Sequence, residues 1–160
     1  TFKGDELHDV IAPSDGTIVT IEEVFEPDYF NDKRLQISIF MSLTNVHAQW
    51  CPLNGQVLKV LHEDGRFKKA YLPKSSNENE RSTIVIKSDA GPIIMMRQVA
   101  GAMARRIVTY INTGDKSEIN SELGFIKFGS RIDLFLPLDA NVLVKMGERV
   151  KGNVTPIAKI

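Results

Sequence analysis

PSDGTIVTI, residues 13–21, is a proline, a turn sequence and then a strand rich in β-branched residues. The same order returns in PLNGQVLKV at residues 52–60 and in PLDANVLV at residues 137–144. Proline presets φ for a turn, and Asp or Asn beside a small residue tolerates the left-handed backbone. Val and Ile then favour a strand. Three such units predict a mostly β fold of short strands and tight turns.

A second unit also occurs twice. The run from Gly114 leads to Asn120, and the run from Gly147 leads to Asn153 at the same spacing. Asn can adopt the left-handed conformation that Gly usually supplies. Paired units of this kind resemble the barrel-sandwich hybrid of biotinyl and lipoyl carrier domains. Residues 98–108, rich in Ala, Met and Arg, predict a short helix that runs into a strand.

We therefore expect a single domain over residues 1–160. It should be mostly β (α+β), with repeated barrel-sandwich-hybrid-like units and one or two short helices.

The bulk composition excludes several classes of function. Twenty basic and twenty acidic side chains cancel, so no global charge favours nucleic acid. The single cysteine, Cys51, cannot form an internal disulfide, and a reducing compartment is expected. No run approaches the roughly 18–20 apolar residues of a membrane span, and no signal peptide is recognisable. No cluster has metal-ligand spacing, so no metal is expected.

Gly129-Ser130 follows an apolar strand expected over residues 123–128. By itself Gly-Ser is a turn dipeptide. Its alternative is self-cleavage, because a serine hydroxyl can attack the carbonyl before it where the backbone is tight. Glycine allows such a backbone and leaves that carbonyl unshielded.

Two further residues are candidates for chemistry. His47 is one of three histidines and follows an apolar strand and turn; histidine suits proton transfer near neutral pH. Asp15 stands in the turn of the first repeat, where the other repeats carry Asn54 and Asp139. That symmetry favours a role in the turn over a role in catalysis.

Taken together, these stretches resemble the phosphatidylserine decarboxylase family in its short bacterial form. The order and spacing of the matching stretches carry the resemblance, and they span nearly the whole chain. The matches are residues 13–16, 37–42, 45–47, Pro52 with Gly55, 78–81, Gln98 with Gly101, 104–106 and 128–133.

The resemblance implies self-cleavage between Gly129 and Ser130, into a larger chain, 1–129, and a small chain, 130–160. The Ser130 hydroxyl would attack the Gly129 carbonyl, and elimination of the ester would leave a covalent pyruvoyl group. That ketone would form a Schiff base with phosphatidylserine, accept electrons as carbon dioxide leaves, and yield phosphatidylethanolamine. The resemblance assigns the proton step to His47 and a part in self-cleavage to Asp15.

The chain departs from the longer members at Trp50, which occupies the second position of their His-x-x-His pair. Trp cannot accept a proton, so we expect His47 to serve both steps. Expected partners are phosphatidylserine, the cytoplasmic face of the cell membrane, the two cleavage chains and further copies in a homo-oligomer. The aromatic residues Trp50, Phe25, Tyr29 and Phe30 are candidates for membrane contact, and Arg81, Arg105 and Arg106 for the lipid phosphate.

Two alternatives stay open. One is a decarboxylase of a related serine-headed lipid such as archaetidylserine, with the same chemistry on a different tail. The other is a non-catalytic barrel-sandwich binding module, in which Gly129-Ser130 is only a turn.

Overall fold

The computed structural model describes residues 1–41, 46–63, 80–101, 107–127 and 129–160. Fourteen strands form within these ranges. They are β1 (Asp9–Ile11), β2 (Gly16–Glu26), β3 (Asp32–Met41), β4 (Val46–Trp50), β5 (Gly55–Glu63), β6 (Arg81–Ser88), β7 (Ile93–Val99), β8 (Ile107–Thr109), β9 (Lys116–Ser117), β10 (Glu122–Lys127), β11 (Ser130–Leu136), β12 (Asn141–Val142), β13 (Arg149–Val150) and β14 (Pro156–Lys159).

Eight of these strands form one sheet in the order β13-β2-β3-β11-β7-β6-β5-β9. Two three-stranded sheets, β1-β14-β12 and β4-β10-β8, stand beside it. Neighbouring strands are antiparallel in all three sheets. The prediction of a mostly β fold is confirmed.

The large sheet is covered by apolar side chains on both faces. Ile132 and Leu134 of β11 point into the main core and have no exposed surface. Phe135, between them and Leu136, belongs to a smaller cluster on the opposite face with Val85 and Met95. Alternation along a strand sends successive side chains to opposite faces, so β11 contributes to both clusters.

The helix predicted over residues 98–108 is wrong where the structure describes it. Gln98 and Val99 end β7, where they pair with Ile132 and Arg131 of β11. Residues 107 and 108 belong to β8, and the middle of the segment, 102–106, lies outside the described residues. Pairing with β11 outweighs the weak helix propensity of this stretch. No helix in the described ranges is long and apolar enough to cross a membrane.

The repeated unit that begins at Gly114 and again at Gly147 is confirmed, since the Gly and the Asn of both copies have a left-handed φ. Gly114 and Asn120 have φ values of 91° and 70°, and Gly147 and Asn153 have values of 83° and 60°. The two units also dock in the same way. The Gly147 amide donates to the Ile18 carbonyl of β2 at 2.8 Å, and the Gly114 amide donates to the equivalent carbonyl of β5 at 2.9 Å.

In the proline-turn-strand segments, glycine has a different role from the left-handed turn that the sequence predicts. Gly16 and Gly55 do not take a left-handed φ. A side chain on either would instead overlap a carbonyl oxygen of the adjacent strand, that of Phe40 or of Lys87. These glycines therefore allow two strands to approach closely. The third segment, 137–144, forms only the two-residue strand β12, which pairs with β14, so the barrel-sandwich likeness stays a prediction.

Substitution of Gly147 by Ala should lower the free energy of unfolding by about 1 kcal/mol, because φ is left-handed there. A Cβ at this position meets nothing within 4 Å, so the loss comes from the backbone alone. Gly147→Asn is the matched control and should lose less, since Asn153 already takes this conformation. Urea unfolding measures both variants, and equal losses would contradict this account.

Cys51 lies in the main core, and burial raises the pKa of its thiol. A raised pKa keeps the thiol neutral near pH 7, and the thiolate is the reactive form. We expect a thiol-specific reagent to leave the native protein unmodified and to label it fully in urea. Rapid labelling without urea would show that this core opens readily.

Candidate active site

Ser130 opens β11 in the middle of the large sheet, and its side chain is only 2% exposed. Its Cα partner is Met41 at the end of β3. The hydroxyl oxygen lies 3.7 Å from the Met41 sulfur, which is a weak acceptor. Within the described part of the chain, the hydroxyl is therefore buried without a strong hydrogen bond.

Gly129, directly before it, has a φ of 33°. This is the left-handed region, which a residue with a side chain adopts only under strain. The junction thus places a backbone turn and a loosely held hydroxyl next to each other. Attack of the Ser130 oxygen on the Gly129 carbonyl carbon closes a five-membered ring through atoms of these two residues alone. Such an attack would be self-cleavage at this bond.

The backbone of His47 lies at the same corner of the molecule. His47 in β4 pairs with Ile126 of β10, and β10 leads directly into Gly129 and Ser130. Met41 at the end of β3 pairs with Ser130, and Val46 at the start of β4 pairs with Lys127, so both pairs flank the junction. The side chain of His47 lies outside what the structure describes, so its role in proton transfer stays a prediction.

Asp15 stands directly before β2. It is exposed, and its Oδ1 accepts a hydrogen bond from the Gly152 amide at 2.7 Å. Thr17, Phe40 and Arg131 form one row across β2, β3 and β11, so β3 lies between β2 and the strand that Ser130 opens. A part for Asp15 in self-cleavage stays a prediction.

The environment of Asp15 has a counterpart in the second repeat. Asn54 Oδ1 accepts a hydrogen bond from the Ile119 amide at 2.8 Å, at the equivalent place of its own unit. An uncharged Asn thus makes the same contact that Asp15 makes with Gly152. The contact explains why the position needs a side-chain oxygen, and it does not require a charge.

The Gln98 side chain, to which the sequence analysis gave no role in the site, lies close to Ser130. It is on the inner face of the large sheet, the face that lines the main core. Gln98 of β7 is the Cα partner of Ile132, two residues from Ser130 on the neighbouring strand. Its side chain is completely buried, and its Oε1 accepts a hydrogen bond from the Thr109 hydroxyl at 3.2 Å. Thr109 belongs to β8, so this bond joins the large sheet to the small sheet that carries His47. The sequence signal that could have found Gln98 is its position in β7, where it follows Ile94 and Met96 on the face that is otherwise apolar.

The outer face of β11 carries an ion pair instead. Asp133 is buried and accepts a hydrogen bond from the Ser38 hydroxyl at 2.6 Å. Arg131 donates to both carboxylate oxygens of Asp133, at 2.8 and 3.2 Å. The pair anchors the residue that directly follows Ser130.

The residues predicted to contact the lipid phosphate or the membrane lie in several different parts of the fold. Arg81 is paired with Glu63 at 3.0 Å, and Arg105 and Arg106 lie outside the described residues. Phe25 and Tyr29 are exposed at the turn between β2 and β3. Phe30 packs at this turn under the Arg34 guanidinium, 3.5 Å from the ring centroid, and Trp50 ends β4 and is partly buried.

The residues present fit a pyruvoyl group, because the carbon atoms of such a group come from a serine, and the carbonyl before Ser130 belongs to a glycine that carries no side chain to shield it. No cluster of His, Cys, Asp or Glu that could hold a metal ion occurs in the described part of the chain. A buried Ser130 directly after a left-handed, partly buried Gly129 is consistent with the precursor of a self-processing enzyme.

Comparison with known proteins identifies the family. The model of the phosphatidylserine decarboxylase family matches residues 3–158, and the chain belongs to that family. It is 58% identical to the phosphatidylserine decarboxylase proenzyme of Parabacteroides distasonis over 151 residues, which are 94% of this chain and 69% of that one. The proenzymes of Bacteroides fragilis and Cytophaga hutchinsonii are 58% and 51% identical, over 99% and 96% of this chain and 70% and 71% of theirs. No solved structure matches.

Substitution of Asp133 by Asn should lower the free energy of unfolding by about 1–2 kcal/mol, because a buried acceptor loses its charge while Arg131 stays partly solvated. Urea unfolding measures the loss. Asp28→Asn is the matched control, since this exposed carboxylate is also paired with an arginine, Arg97, at 2.9 Å. It should cost less than about 1 kcal/mol. Equal losses in the two variants would argue against a special role for the buried pair.

Proposed function

We propose that this chain decarboxylates phosphatidylserine to phosphatidylethanolamine after cutting itself between Gly129 and Ser130. Membership of the phosphatidylserine decarboxylase family makes it a carboxy-lyase, and its relatives are named as proenzymes. The single observation that supports the proposed position of the cut is a buried serine directly after a glycine with a φ of 33°. The cut would yield a larger chain, 1–129, and a small chain, 130–160.

The proposed cut is a serinolysis. The Ser130 oxygen bonds to the Gly129 carbonyl carbon, the carbon–nitrogen bond breaks, and the nitrogen takes a proton, which leaves an ester. Elimination then moves the serine Cα proton to a base and breaks the bond between Cβ and the ester oxygen, which forms a carbon–carbon double bond and frees Gly129 as a carboxylate. The remaining enamine becomes an imine, and water replaces its nitrogen, which leaves as ammonia. The two chains together therefore gain one water and lose one ammonia.

The pyruvoyl group supplies an electron sink for the carboxylate that leaves. We assign the proton that replaces the carboxylate to His47, since its backbone lies beside β10, which leads into the Gly129–Ser130 junction. Since Trp50 is not a base, His47 would also assist the cut. The repeated barrel-sandwich arrangement, which the matched units at Gly114 and Gly147 support, would hold the two chains together.

Lipid contact is proposed at the turn between β2 and β3. Phe25 is 59% exposed and Tyr29 is 39% exposed there, and Lys33 and Arg34 follow them. Aromatic and basic side chains together suit the headgroup region of a bilayer. On this proposal the enzyme is peripheral on the cytoplasmic face of the cell membrane and acts as a homo-oligomer.

Intact mass spectrometry of the expressed chain tests the cut. We expect two species, one ending at Gly129 and one beginning with a ketone, whose summed mass reflects one water gained and one ammonia lost. Ser130→Ala should give one uncut chain. A wild-type chain that stays whole, with an unmodified Ser130 after long incubation, would contradict the proposal and favour a binding module.

A substitution can test whether the charge of Asp15 takes part in the cut, apart from its hydrogen bond to Gly152. Asp15→Asn keeps an oxygen for the Gly152 amide, as Asn54 does for Ile119, and removes only the charge. Because the uncharged Asn54 makes the equivalent contact, we expect this variant to cut itself at a rate within about threefold of wild type. His47→Ala should cut slowly. A complete loss of cutting in Asp15→Asn would show that the charge is needed.

Decarboxylation is then measured on vesicles that contain phosphatidylserine or archaetidylserine. Activity on the first confirms the proposed substrate, and activity on the second alone would assign the chain to the related lipid.

A further inference from the structure

Two buried side-chain amides lack hydrogen-bond partners among the described residues. The Gln98 Nε2 atom has none, although its Oε1 is engaged by Thr109. Gln49 of β4 has none at either its oxygen or its nitrogen. Both side chains are completely buried. A buried donor without a partner is costly and rare, so each one requires an explanation.

The two amides face the same interior. Gln49, Gly124 and Thr109 form one row across the small sheet β4-β10-β8, so Gln49 and Thr109 project from the same face. Thr109 reaches Gln98 across the space between the sheets, which shows that this face points to the large sheet. Both free amides therefore belong to the interior between the small sheet and β7.

Gln98 is also the free amide near the reacting serine. It pairs with Ile132, and alternation along β11 places Ser130 and Ile132 on the same face. A residue and its diagonal neighbour on the next strand are about 7–8 Å apart at Cα, which a Gln side chain and a small ligand can span. The proposed cut would break the backbone at this point of the interior.

The chemistry of the surroundings indicates the ligand. Apolar side chains, among them Ile39, Met41 and Ile132, line the same face of the large sheet. A neutral amide in such surroundings can orient a carboxylate without the strong ground-state attraction of Arg or Lys. Loss of carbon dioxide moves charge away from the carboxylate, so a cationic partner would stabilise the starting state more than the transition state.

We infer that the Gln98 side-chain amide nitrogen binds the carboxylate group of the substrate, the group that the reaction removes. This inference rests on the proposed function. It assigns to Gln98 the recognition of the feature that distinguishes a serine headgroup from an ethanolamine headgroup.

The experiment compares two soluble headgroups that differ only in this carboxylate, glycerophosphoserine and glycerophosphoethanolamine. Their binding is measured on self-cleaved enzyme whose ketone has been reduced with borohydride, so that no condensation occurs. In parallel, KM and kcat are measured on phosphatidylserine vesicles with unreduced enzyme. Self-cleavage of each variant is followed by mass spectrometry.

Gln98→Met removes the amide at nearly constant volume. It should cut itself normally, bind glycerophosphoserine about 10- to 100-fold more weakly and leave glycerophosphoethanolamine binding unchanged. The same factor should appear in kcat/KM for phosphatidylserine. Thr109→Val is the matched control: it breaks the same Gln98–Thr109 bond but keeps the amide donor, so both headgroups should bind within about threefold of wild type.

Gln98→Glu provides a second test that keeps the shape and the acceptor for Thr109. Its added oxygen should weaken glycerophosphoserine binding alone. If either Gln98 variant binds both headgroups as wild type does, or weakens both equally, the inference is overturned. A wild-type chain that neither cuts itself nor decarboxylates the lipid would instead overturn the proposed function.

Discussion

Antiparallel hydrogen bonding of β11 to β3 on one side and to β7 on the other holds the start of that strand. Ser130 is paired with Met41, and Arg131 is paired with both Phe40 and Val99. A slip of one residue in either ladder would exchange the two faces of β11. Arg131 would then enter the apolar core, and Ser130 would leave it. The position of the Ser130 hydroxyl is thus set by the register of the sheet, with little help from the hydroxyl's own contacts.

The same pairing explains how the molecule can survive a cut before Ser130. The part of the chain from 130 to 160 contributes β11 to the middle of the large sheet. It also contributes β13, which pairs with β2, and β14, which pairs with β1. Each of these contacts joins the two proposed chains, and only the Ser130–Met41 pair at the very end of β11 borders the junction. Cutting would therefore remove one covalent link while the pairs from Arg131 onward stay in place.

Local features of the fold were predictable, and features that depend on distant pairing were not. The left-handed residues at Gly147 and Asn153 followed from spacing, because a residue's φ preference is local. Residues 98–108 have a local preference for helix, but Gln98 and Val99 pair with a strand more than thirty residues away. Gly129 and Ser130 are adjacent in the chain, so the candidate junction could be named from the sequence. That β3 lies between β2 and β11 could not, because it depends on pairing between strands far apart in the sequence.

The charged residues of β11 lie on one face of the strand, and Ser130 lies on the other. Arg131 and Asp133 form their ion pair on the outer face, while Ser130 and Ile132 lie on the inner one. A single peptide unit thus separates Ser130 from a guanidinium, yet the sheet lies between that charge and the interior. In an interior of low dielectric, a guanidinium at contact distance would hold a carboxylate strongly. The alternation of β11 keeps this cation close enough to anchor the backbone and places it on the face opposite to Ser130, where it could not hold the substrate carboxylate that we propose binds Gln98.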